Sequence, residues 1–189
     1  AFGLSKGYDI LHDQPHFPGY PVYMFVSWVW YRISGSDIQP LIFSGVLFSS
    51  FAVFPLYELA RRVFSKEAAI LASILYIVNP QVWLQAEKPL SDAFGLFFVI
   101  TAVLFFYLAV EHTHGTQRNC LQANGKAKDE DKISLWYLVW GGLLLGLGLG
   151  VRVTYLALIP TMAYAAYQVN KRVSGKKIPL WGVAGLAIG

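Results

Sequence analysis

Two charged residues at the ends of apolar runs offer this chain its chemistry: Asp92, in Pro89-Leu-Ser-Asp92, and Arg152, wedged between two runs. A carboxylate at the mouth of an apolar helix can take a proton, ligate a metal or orient a polar acceptor. The competing role is a helix N-cap by Ser91 or Asp92, the commoner use of such residues. Arg152 has almost no loop around it. A guanidinium there is a planar, permanently charged phosphate ligand, and snorkelling to lipid headgroups explains it equally well. Glu87 and Lys88 lie just before Asp92. Lys88 can meet a lipid phosphate or pair with Glu87 at the interface.

A second polar group opens the chain: Asp9, His12, Asp13, His16 and Tyr20. His12 and His16 have the i, i+4 spacing that aligns two metal ligands on a helix. Pro15 argues against that helix, so a polar turn is the stronger reading. A divalent cation is still the one cofactor these residues admit. The stretch Pro15-His-Phe-Pro-Gly-Tyr-Pro21 cannot be helical, and Pro18-Gly19 marks a turn. Cys120 stands alone among polar residues, so no disulfide forms within the chain. No phosphate-binding glycine loop, HExxH pair or nucleophile elbow is present.

The elements that must position these groups are apolar runs at 41–59, 68–84, 93–110, 135–151 and 153–169, with a sixth starting near 178. Each complete run approaches the roughly 20 residues that cross a bilayer core as a helix. Between them the basic residues are unevenly shared. Of 15 Lys and Arg, Arg61, Arg62, Lys66, Arg118, Lys126, Lys128, Lys132, Lys171, Arg172, Lys176 and Lys177 fall in the loops after the first, third and fifth runs. Positive charge marks the cytoplasmic side, so the N-terminal segment, Glu87, Lys88, Asp92 and Arg152 are expected outside.

Composition agrees: 56% hydrophobic and 16% aromatic residues are too many for an ordinary soluble domain. The net charge of +4 is explained by the inner loops and calls for no nucleic acid. The expected fold is all-α, a polytopic transmembrane bundle forming one membrane domain over 1–189. Within it, 1–37 is an outer loop and juxtamembrane helix, and 38–189 holds the transmembrane helices and an inner loop at 111–134. Gly142, Gly146 and Gly150 share a helix face where a neighbouring backbone can approach. The chain opens without Met and closes inside an apolar run, and so reads as an internal piece, truncated at both ends and inactive alone.

The order of features resembles the GT-C membrane glycosyltransferases, the group of protein O-mannosyltransferases and lipid A aminoarabinose transferases. The resemblance is carried by His16-Phe-Pro-Gly-Tyr-Pro21, Leu56-Tyr-Glu-Leu-Ala-Arg-Arg-Val-Phe64, Ala72-Ser-Ile-Leu-Tyr-Ile-Val-Asn-Pro80, Pro89-Leu-Ser-Asp92 and Gly142-Leu-Leu-Leu-Gly-Leu-Gly-Leu-Gly-Val-Arg152. It implies a sugar taken from a polyprenyl or dolichyl phosphate and transferred extracytoplasmically to a protein, lipid or glycan. It also implies an acidic base or metal ligand in the first outer loop, an acid at the position of Asp92, and a basic residue near the carrier phosphate at Arg152. The family's leading acidic motif usually lies further upstream of the Pro-rich stretch than Asp9; within this chain Asp9 and Asp13 are the acids on offer. His16, Tyr20, Glu87 and Lys88 join Arg152 as substrate-binding candidates.

Two other classes compete. A transporter or lipid flippase wants mid-membrane polar groups and broken helices in corresponding halves, and only Asn79-Pro80 interrupts an apolar centre here. A non-catalytic membrane scaffold would need no more than the glycine face and the aromatics.

Overall fold

Prolines and small polar residues set where the helices begin and break. The computed structural model describes residues 20–36, 38–119 and 127–173. Helix α1 (Pro21–Ser34) starts on a proline, whose fixed φ and missing N–H suit a first helical turn. It stops at Gly35, whose φ of 66° returns its N–H to the Tyr31 carbonyl. Helices α2 (Gln39–Phe51) and α3 (Val53–Val63) are separated by Ala52 alone. The cause is Pro55, which cannot donate to the Phe51 carbonyl four residues back and crowds it with its ring.

Helix α4 (Lys66–Val78) is capped by Ser65, which accepts the Ala68 N–H at 3.2 Å. Pro80 then opens a short α5 (Pro80–Ala86), bent 52° from α4. The backbone groups freed by this break are taken up locally. Asn79 N–H reaches the Tyr76 carbonyl at 3.3 Å, and Gln81 N–H reaches the Asn79 side chain at 2.9 Å. The Trp83 indole donates to the Ile77 carbonyl at 2.5 Å. After a short exposed loop come α6 (Ser91–Asn119) and α7 (Ala127–Leu149), then a 3-10 turn (Val153–Leu158) and α8 (Ile159–Val173).

The described residues form an all-α membrane helix bundle, with no strand among them. Gln39–Val63 and Ser91–Thr113 are long and apolar enough to cross a membrane, and the bent α4–α5 pair brings the number to as many as three. Helix α4 leaves Leu71, Ile74, Leu75, Ile77 and Val78 exposed, an apolar face that lipid can solvate and water cannot.

Three expectations need correcting. The inner loop expected at 111–134 is helical up to Asn119 and again from Ala127; α7 opens on the helix formers Ala127, Lys128 and Glu130, while α6 runs on through His, Thr and Gly against their weak propensity. The run at 153–169 is not one helix. It begins as a 3-10 turn, since Pro160 lacks the N–H that would extend an α-helix back across it. The glycine face holds only in part: a Cβ on Gly150 would lie 2.6 Å from a Val22 methyl, but one on Gly142 would meet nothing within 4 Å, and one on Gly141, outside that face, would lie 2.6 Å from the Phe106 ring. The sixth run, from 178, lies outside the described residues.

The chain divides into two compact units, residues 1–100 with 147–155, and residues 101–146 with 156–189. In the first, Phe94 is fully buried and packs on Tyr23, Phe48 and Phe98 at ring separations of 5.3, 4.5 and 5.2 Å. This cluster ties the start of α6 to α1 and α2. The Tyr23 hydroxyl donates to the Leu41 carbonyl at 3.0 Å, and Ser27 to Ser44 at 3.4 Å, so the buried polar atoms on the α1–α2 face are paired. Gly45 lets α2 approach α5 closely; a Cβ there would sit 3.0 Å from the Ala86 carbonyl oxygen. In the second unit Tyr137 packs on Phe105 at 5.8 Å and on His112 at 5.2 Å, while Leu138 and Leu145 are buried.

Candidate functional site

The first unit brings Asp92 and Arg152 together from 60 residues apart. Asp92 lies in the first turn of α6, where the positive end of the helix dipole favours a carboxylate. Arg152 follows α7 in a tight turn: the Gly148 carbonyl accepts both the Val151 N–H (2.9 Å) and the Arg152 N–H (2.8 Å). The Arg152 carbonyl in turn accepts the Tyr155 N–H at 3.2 Å, which starts the 3-10 turn. With both backbone groups committed, the root of the arginine side chain is fixed.

The contact is bidentate. Nη1 lies 2.7 Å from one Asp92 oxygen and Nη2 donates to the other at 2.7 Å. Nε donates to the Ser91 hydroxyl at 3.4 Å. Asp92 therefore directs its oxygens to the guanidinium and is not the cap considered for it, and Ser91 serves the same arginine. The two side chains are 32% and 33% exposed, which leaves the pair within reach of a ligand while shielding part of it from water. Three of the five N–H donors of a guanidinium are thus engaged, and two remain among the described residues.

The start of α1 reaches the same turn. Val22 N–H, an orphan of the first helical turn, donates to the Gly150 carbonyl at 3.3 Å. A Cβ on Gly150 would lie 2.6 Å from a Val22 methyl, so glycine is what permits this approach. Tyr20, just ahead of α1, has φ 48° and ψ 53°, a left-handed conformation uncommon outside glycine. Its neighbour Val22 is therefore bonded two residues from Arg152.

The remaining candidates are placed as follows. Glu87 and Lys88 are exposed in the loop before α6. Glu87 also borders a cavity of about 450 Å³ that includes Ser49, Tyr76 and Trp83, and no Glu87–Lys88 ion pair forms. Asp9, His12, Asp13 and His16 lie outside the described residues, as does Cys120. Among the described residues no three His, Cys, Asp or Glu side chains gather as a metal site.

Tyr155 was missed by sequence reasoning. Its ring packs beside Gly95, three residues after Asp92, and Gly148. The one signal for it was Gly95 itself, a lone small residue in the bulky run Phe94-Gly-Leu-Phe-Phe98.

A family model described as dolichyl-phosphate-mannose-protein mannosyltransferase matches residues 13–121. No curated protein and no solved structure matches the chain.

Proposed function

Since the chain belongs to the dolichyl-phosphate-mannose-protein mannosyltransferase family, membrane glycosyltransferases of the mannosyltransferase type, we propose that its sugar comes from a polyprenyl- or dolichyl-phosphate carrier and is transferred on the extracytoplasmic side. The observation that carries this reading is the partly exposed, bidentate Asp92–Arg152 pair. The crowding of basic residues into alternate loops supports the sidedness.

In this reading an acceptor hydroxyl of a protein, lipid or glycan attacks the anomeric carbon of the sugar. Its proton passes to Asp92, which keeps lone pairs beyond those directed at Arg152. The anomeric C–O bond to phosphate breaks, and its electron pair leaves with the lipid phosphate. Arg152 meets the charge that develops there with its two remaining N–H groups, without having to release Asp92. Lys88 adds a net positive charge beside an otherwise neutral pair, and Tyr20 offers a ring on which a sugar can stack. Glu87 and His16 complete the proposed substrate contacts. Asp9 and Asp13 are the alternative acids, and His12 with His16 are the candidates for a divalent ion.

The test uses the full chain reconstituted in vesicles with labelled polyprenyl-phosphate sugars. Asp92→Asn should lower turnover by about a hundredfold or more, the usual weight of general-base catalysis. Arg152→Ala should raise the donor KM by about tenfold or more. Wild-type kinetics in both would remove the pair from catalysis. For sidedness, Cys120→Ser chains carrying Lys66→Cys or Lys88→Cys should label from opposite faces of the membrane; labelling from one face overturns the topology.

A further inference from the structure

The phenol of Tyr155 sits in a slot cleared by two glycines. A Cβ on Gly95 would overlap its hydroxyl oxygen and lie 2.8 Å from Cε2, and one on Gly148 would lie 3.5 Å from Cδ2. The ring is therefore held between the first turns of α6 and the last turn of α7, with its hydroxyl edge at Gly95. Residues 92 and 95 share a helix face, so the oxygen lies one turn along α6 from the Asp92 carboxylate. Both members of the Asp92–Arg152 pair act electrostatically on it. Yet among the described residues the hydroxyl makes no hydrogen bond. Two helices give up side chains to admit a ring whose polar end is left unengaged next to a carboxylate and a guanidinium. Packing alone would be served as well by phenylalanine.

We infer that Tyr155 is a substrate-positioning residue, whose O–H donates to an oxygen of the carrier phosphate alongside the two free N–H groups of Arg152. A phosphodiester monoanion suits such a site: it is acceptor-rich, singly charged and bound by donors that need not be charged themselves. The adjacent Asp92 disfavours a dianion and leaves the sugar end of the donor next to the base. This rests on the reading that Asp92 and Arg152 form the reaction site.

The decisive variant is Tyr155→Phe, which keeps the ring in its slot and removes only the donor. In the reconstituted protein its KM for a polyprenyl-phosphate sugar should rise about tenfold, with kcat within about twofold. Inhibition by free polyprenyl phosphate should weaken by a similar factor, an effect that a purely structural ring would not produce. Gly95→Ala should displace the phenol and give the same loss, and should cost nothing further when combined with Tyr155→Ala. An unchanged donor KM and unchanged polyprenyl-phosphate inhibition in Tyr155→Phe overturns the inference. If at the same time Asp92→Asn and Arg152→Ala are impaired, Tyr155 alone is excluded; if those two behave as wild type, the site reading falls with it. Should Gly95→Ala fail to fold, Tyr155→Phe still decides, since it disturbs no packing.

Discussion

Two arginine–carboxylate pairings in this molecule are assembled in opposite ways. Near the end of α3, Glu58 receives Arg61 at 2.8 Å and Arg62 at 2.6 Å, three and four residues along the same helix. Any helix carrying those residues would bring them together. Asp92 and Arg152 stand on different elements 60 residues apart and meet only once α6 and the end of α7 have packed. The first cluster records a helical pitch and a basic helix end. The second records the tertiary structure, and it occupies helix ends fixed by buried aromatics and by the Val22–Gly150 bond. Charge held by local spacing costs the fold nothing to keep. Charge held at a distance has to be built for, and that is where we place the chemistry.

The comparison can be broken most sharply by exchanging the distant charges. Asp92→Arg with Arg152→Asp should lose transfer by at least the hundredfold of Asp92→Asn, because the base now follows α7. Its thermal stability in detergent should nonetheless recover part of what Arg152→Asp alone forfeits. Recovery stays incomplete, since an arginine in the first turn of α6 opposes the helix dipole by roughly 0.3–1 kcal/mol. If transfer returned with stability, the pair would be a brace and nothing more.

An intermediate effect is expected at Gly150, where a non-local contact involves no charge. Gly150→Ala should push Val22 away and lower both stability and donor affinity several-fold, whereas Gly142→Ala meets nothing and should be silent in a melting assay. Equal behaviour of the two variants would discard the packing seen at Val22. The smallest effect belongs to the local cluster. Glu58→Gln should leave transfer at the wild-type rate and shift stability little, as exposed pairs contribute about 0–1 kcal/mol as a class. A large loss of transfer there would erase the distinction between the two regions.

Much of the architecture could be read from the chain because membranes impose one-dimensional rules. Run length, the clustering of Arg61, Arg62 and Lys66, and the prolines at 21, 55 and 80 each act on the residues next to them. Asp92 and Arg152 were each visible as charges at the ends of apolar runs. Their partnership was not, since no periodicity links positions 60 apart. Tyr155 carries no sequence signal of its own; Gly95 and Gly148 on either side of it mark it out only in the fold. The glycine spacing at 142, 146 and 150 identified a close-packing helix but only part of its packed surface: contacts form at Gly150 as expected, and also at Gly141 and Gly148, while Gly142 faces open space. The length of α6 and α7 beyond their apolar parts was equally hidden: Ala127, Lys128 and Glu130 are good helix formers in water, but the His, Thr and Gly residues that prolong α6 are not.

The break at Asn79–Pro80 has a mechanical meaning. A proline bend in lipid is often treated as a hinge, but a hinge must be able to open its hydrogen bonds. Here the Tyr76 and Ile77 carbonyls and the Gln81 N–H are all held, by Asn79 and by the Trp83 indole. Straightening or flexing the bend would strip those partners in a solvent with none to offer, at several kcal/mol for each orphaned group. The joint is therefore a welded elbow. At 52° its second arm of seven residues advances only about 6 Å along the axis of α4, and it delivers the chain to the loop before Asp92 in one fixed direction.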